Sequence, residues 1–104
     1  MKKTDKIKAK LAIAWLKRAE GKSSHFGFNG CIDTAIDILK GIPNNPKWLE
    51  ILDGVGLHHH RRITEVKMGI KEMYNIDDEE YKMIGSSRPD IDYLLEELEM
   101  VLDD

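Results

Sequence analysis

The sequence predicts an all-α fold, a single small domain built as a bundle of five or six short helices with no sheet. Three observations carry that expectation. Apolar residues recur at steps of three and four along most segments, the spacing that lines up one face of an α-helix. No stretch sustains a period of two, and no turn dipeptide joins two β-branched runs, so nothing reads as a strand or a hairpin. Glycines, prolines and capping residues punctuate the chain where such helices would begin and end. At 104 residues, residues 1–104 make one domain; 41% hydrophobic and 34% charged content suits a folded globule rather than a disordered chain.

The first helix is expected over Lys6–Glu20. Ile7, Leu11, Ala14 and Trp15 form a stripe that Ala12, Leu16 and Ala19 widen, with Thr4 or Asp5 capping the start and Gly21 ending it. So wide an apolar arc marks a helix with neighbours on more than one side, the central packing element. Gly21–Gly30, GKSSHFGFNG, reads as a loop pinned to the core by Phe26 and Phe28. It holds no G-x-x-x-x-G-K-[ST] pattern and follows no strand, so it is not a phosphate cradle. A second helix then opens at Asn29 or Gly30 and ends at Gly41, with Phe28, Ile32, Ala35, Ile36 and Leu39 along its core face. Cys31 falls in its first turn, where a helix dipole lowers a thiol pKa. No histidine lies at local spacing to serve as its base, so a half-buried structural thiol is the expectation.

The run Ile42–Pro46 is a stop, with Asn45 placed as an N-cap and Pro46 at the first helical position. Trp48, Leu49, Ile51, Leu52 and Val55 give a short helix ending at Gly54 or Gly56. The next runs from Leu57 or His58 to Tyr74, with Ile63, Val66, Ile70 and Met73 facing the core. Asp77 and Glu80 form a capping pair, and Ile76 and Tyr81 have hydrophobic-staple spacing, for a helix of one to two turns closed by Gly85. Ser87-Arg88-Pro89-Asp90 is another capping box. It leads into Ile91, Leu94, Leu95, Leu98, Val101 and Leu102, with an outer face of Asp92, Glu96, Glu97, Glu99, Asp103 and Asp104.

No membrane span is expected: the longest apolar run, Leu11–Leu16, is far short of the ~20 residues needed. The N-terminal lysines lead to no cleavable signal, and the single cysteine excludes an intrachain disulfide. Together these suggest a reducing, cytoplasmic setting. The net charge of −3 conceals a division: fourteen cations and eight anions over residues 1–74, a balance of +6, and two against eleven over 75–104, a balance of −9.

That division organises the functional readings. The favoured one is a small non-enzymatic binding or regulatory protein that contacts another protein through charge, with Asp92, Glu96, Glu97 and Glu99 as the docking face. One form of it is an inhibitor whose acidic helix imitates nucleic acid in a basic cleft. The sequence is also compatible with a homo-oligomer. The alternative is a helix-turn-helix-like DNA binder, since Trp48–Met68 has that rhythm and His58, His59, Arg61 and Arg62 would sit at the start of the reading helix. Against it, the motif's small buried residue would be Glu50 and its buried aliphatic His60. A metal-dependent enzyme is the weakest reading. His58, His59 and His60 are consecutive and cannot converge on one ion from a helix. The Glu96-x-x-Glu99 pair lacks the second, facing pair that helical Mg²⁺ pyrophosphohydrolases use. No catalytic residue, metal ligand or cofactor is therefore assigned.

Overall fold

A helix that is apolar around most of its circumference is stable only when other helices cover it, and the fold is arranged accordingly. The computed structural model describes residues 2–43 and 45–102. Among them are six helices and no strand: α1 (Lys3–Glu20), α2 (His25–Lys40), α3 (Pro46–Leu52), α4 (His60–Met73), α5 (Asp78–Met83) and α6 (Arg88–Leu102). None is long and apolar enough to cross a membrane. The bundle is centred on α1, which packs against α2, α4 and α6, while α3 bridges α2 and α4. Ala9, Leu11, Ala12, Ile13, Ala14, Leu16 and Ala19 are all buried, so α1 is covered on nearly every side, as its wide arc required. It starts three residues before Lys6. Thr4 and Asp5 lie inside its first turn, and the N-cap position, Lys2, makes no side-chain cap.

The largest correction concerns GKSSHFGFNG. Ser24 accepts a hydrogen bond from the Gly27 N–H at 3.1 Å, so α2 begins at His25 and most of the expected loop is helical. Phe28 is buried in the core, as its place on the Ile32–Ala35–Leu39 stripe implied, but Phe26 is 92% exposed and pins nothing. The shifted start moves Cys31 into the second turn and buries it, which removes the dipole argument for a reactive thiol.

Asn45 works backwards rather than forwards. It makes no side-chain cap on α3; its Nδ2 donates to the carbonyls of Leu39 and, at 2.6 Å, of Ile42, closing the end of α2. Pro46 does stand at the first helical position of α3, which ends at Leu52, before either glycine. Gly54 takes φ 78° in the turn that follows, a conformation an L side chain resists. The next helix starts at His60, two to three residues later than its pattern suggested.

On α4, Ile63, Val66 and Ile70 are fully buried but Met73 is 46% exposed; Lys67 and Tyr74 take the core positions instead. The helix ends on a Schellman motif. Asn75 adopts φ 53°, the Ile76 N–H reaches the Lys71 carbonyl at 3.0 Å, and the Asn75 N–H reaches that of Glu72 at 3.3 Å. α3 and α4 approach closely at Gly69, where a Cβ would lie 2.8 Å from Trp48 Nε1. Gly69→Ala is expected to lower stability by about 1–3 kcal/mol through overpacking, read as a fall in the urea midpoint. An unchanged midpoint would mean that Trp48 swings aside without cost.

α5 and α6 are attached from outside. Asp77 caps α5 by accepting from the Glu80 N–H at 2.7 Å, but the Glu80 carboxylate does not complete a box and turns to α1 instead. Ser87 Oγ accepts from the Asp90 N–H at 3.3 Å, the first half of the second expected box, but the Asp90 carboxylate takes the Ser87 hydroxyl rather than its backbone N–H, so the box is not closed. On α6 only Ile91 and Leu94 are buried. Leu98 and Val101 are half-buried, and Leu95 and Leu102, expected in the core stripe, are 41% and 63% exposed. The reason is that α6 makes its main contact with α1 alone. Asp103 and Asp104 lie outside the described residues.

Candidate functional site

The internal ion pairs show which charges are already engaged. Glu80 receives Lys10 at 3.1 Å and Lys6 at 3.6 Å, and Asp78 receives Lys71 at 2.7 Å. The hydrogen bond from Lys71 holds the Asp78 carboxyl below the usual aspartate range, and the same bond raises the Lys71 ammonium. Lys17 Nζ donates to the carbonyls of Tyr81 at 2.6 Å and Ile84 at 3.0 Å and lies 4.2 Å from the Tyr81 ring centroid, so it closes the open end of α5. Burial pushes its pKa down, and nearby Lys67 pushes it further. Arg18 Nη1 donates to the Ser86 carbonyl at 3.0 Å. Lys6, Lys10, Lys17 and Arg18 of α1 are therefore spent on α5 and on the connection to α6.

The acids of α6 are left out of this network. Asp92, Glu96 and Glu99 recur at i, i+4 and i+7 along one exposed flank. Their only ion pair among the described residues is Arg88 to Asp92 at 4.0 Å, with both side chains more than half exposed, which contributes little. Glu97 is not part of that flank. One residue on from Glu96 it turns about 100°, becomes half-buried, and faces Lys3, Lys6 and Lys10 across a groove between α1 and α6.

That groove was not expected from the sequence. It encloses about 610 Å³ over a floor of Ile7, Met100 and Val101. A second hollow of about 290 Å³, lined by Met83, Tyr93 and Leu94, shares Lys10 and Glu97 with it, so a trough runs along α6. Met83, Tyr93 and Met100 are exposed along this trough, and Leu95 and Leu102 are exposed on the other side of the acidic flank. The signal available in the sequence was Tyr93–Met100, an i, i+7 pair outside the main stripe.

The cationic residues are arranged differently. His58, His59, Arg61 and Arg62 are all exposed at the entry to α4. His59 Nδ1 accepts the Gly56 N–H at 2.9 Å, so that ring is occupied in holding its own turn. Seven residues, 53–59, separate α3 from α4, where a helix-turn-helix uses about three or four. Glu50 and His60 are exposed where that motif needs buried residues. Among the described residues no three His, Cys, Asp or Glu side chains gather to hold a metal. The sequence matches no protein-family model, and no curated protein or solved structure matches it.

Proposed function

We propose that this is a small non-enzymatic binding protein that acts by charge-guided contact with another protein, with the exposed flank of α6 as its docking face. One observation carries the reading: Asp78 and Glu80 of α5 are paired with lysines of α1 and α4, whereas Asp92, Glu96 and Glu99 face solvent with only an exposed Arg88 at 4.0 Å from Asp92. Exposed carboxylates in a row, with one weak pair among them, keep a negative potential that steers a basic surface into register. The apolar side chains beside them supply the desolvated contact that charge alone does not. An inhibitor that lays this helix in a basic, nucleic-acid-binding cleft is the particular form that best suits so regular a row of anions. The buried Cys31 thiol is at ease in the cytoplasmic setting this reading assumes.

The test is capture of a partner from the native cell by the parent chain and by a variant carrying Asp92→Lys, Glu96→Lys and Glu99→Lys. Capture should fall at least about tenfold, the equivalent of ~1.4 kcal/mol, with the circular dichroism unchanged. Undiminished capture would remove the acidic flank from the account. Duplex DNA binding at low salt that Arg61→Ala with Arg62→Ala abolishes would put the entry to α4 in its place.

A further inference from the structure

Four lysines of α1, Lys3, Lys6, Lys10 and Lys17, fall at steps of three, four and seven, which sets them in one row along the helix. α5 lies across that row. Its Glu80 carboxylate receives both Lys6 and Lys10, and Lys17 Nζ donates to the carbonyls of Tyr81 and Ile84 at its open end. A third hold comes from α4, where Lys71 reaches Asp78 at 2.7 Å. Apolar contact adds little. Ile76 and Ile84 are buried and anchor the two ends, but no residue of 77–83 is buried, Met83 is 83% exposed, and Tyr81 alone rests half-buried on the core. A helix of 6 residues has no stability of its own, so its place depends on charge. The closed position also carries a cost, because it holds the Lys17 ammonium partly out of water with Lys67 nearby.

We infer that α5 is a strap latched by charge over the lysine row of α1, and that it opens between Ile76 and Ile84 while the rest of the bundle stays folded. Opening withdraws Glu80 and Met83 from the wall of the smaller hollow beside Lys10, and it frees Lys6, Lys10 and Lys17 together. The closed strap is an autoinhibitory contact: an acidic segment drawn to the row has to displace Glu80 first. Asp92, Glu96 and Glu99 take no part in the latch, so the device stands or falls apart from the docking face of α6.

Native-state amide exchange of the full chain, resolved by residue, tests the inference. The N–H groups of Tyr81 and Ile84 bond to the Asp77 and Glu80 carbonyls at 2.9 and 3.1 Å, so each is protected only while α5 is formed. Both should exchange well before those of Ile13 and Leu16 in the middle of α1. Sodium chloride raised from about 0.01 M to about 1 M shortens the Debye length from ~30 Å to ~3 Å. That change should speed the first pair by about fivefold relative to the second. Glu80→Gln should speed Tyr81 and Ile84 by about threefold at low salt and flatten their salt dependence. Charge reversal is the decisive arm. Glu80→Lys should lose protection, and adding Lys6→Glu and Lys10→Glu should restore most of it. Exchange of Tyr81 and Ile84 at the rate of Ile13 and Leu16 overturns the inference, since α5 then opens only with the whole bundle. Fast exchange that neither salt nor Glu80→Gln alters overturns it too, since α5 then frays without a latch.

Discussion

Phe28→Ala is expected to remove about 3–5 kcal/mol of stability, a large part of the ~5–15 kcal/mol a domain of this kind has to lose. Phe28 is the largest of the fully buried side chains and sits one turn into α2, beside Ile32 and Ala35 in the core. Truncation leaves a cavity that rigid neighbours on α1 and α2 can close only in part. Urea unfolding should show a lower midpoint with an unchanged slope, the sign that the native state lost stability without a change in the surface exposed. Phe28→Leu should lose less, and provides the measurement if the alanine variant is too unstable to fold. Phe26→Ala, two residues away and 92% exposed, should shift stability by no more than about 0.5 kcal/mol. Equal losses at the two positions would contradict the start of α2 at His25.

The second large effect is expected at Glu20. Lys67 is the only buried charged residue among those described, and the last residue of α1, Glu20, supplies its carboxylate through an enclosed Oε1. Removing one member of such a pair leaves an ammonium desolvated and unmatched, so Glu20→Ala should destabilise by about 2–3 kcal/mol, below the range for a wholly buried pair because Glu20 keeps some exposure. Lys17 aggravates the loss. Its ammonium is already pushed down by burial and by Lys67, and Glu20 is the group that opposes that push. Adding Lys67→Met to Glu20→Ala should recover most of the lost stability, since an apolar side chain has no charge to strand. Additive losses in the double variant would show that the pair is incidental.

These two positions illustrate what the sequence made legible. Phe28 was readable as core because it continues a run at helical spacing. The helix around it was not, because three glycines and two serines resemble a loop until Ser24 is seen capping it. Glu20–Lys67 was invisible, since nothing local says that two charged residues forty-seven positions apart will meet. The same divide runs through the candidate site. Asp92, Glu96 and Glu99 share a flank by helical periodicity alone, and that was apparent at once. Glu97 belongs with them in the sequence and is separated from them only by the packing of α6 on α1. The trough itself needs residues near both ends of the chain to be set side by side, which no local pattern encodes. Met73 failed for a related reason: several residues on α4 were apolar enough to face the core, and tertiary packing chose Tyr74 and Lys67.

The all-round burial of α1 also has a consequence for biosynthesis. This helix leaves the ribosome before any of the elements that cover it, and its last cover, α6, ends at Leu102. At translation rates of about 5–20 residues per second, roughly 4–16 s separate the emergence of the two. For that interval the helix with the most core residues stands partly bare. The five lysines from Lys2 to Lys10 keep the start of that helix charged in the meantime, and in the finished bundle Lys6 and Lys10 turn to Glu80.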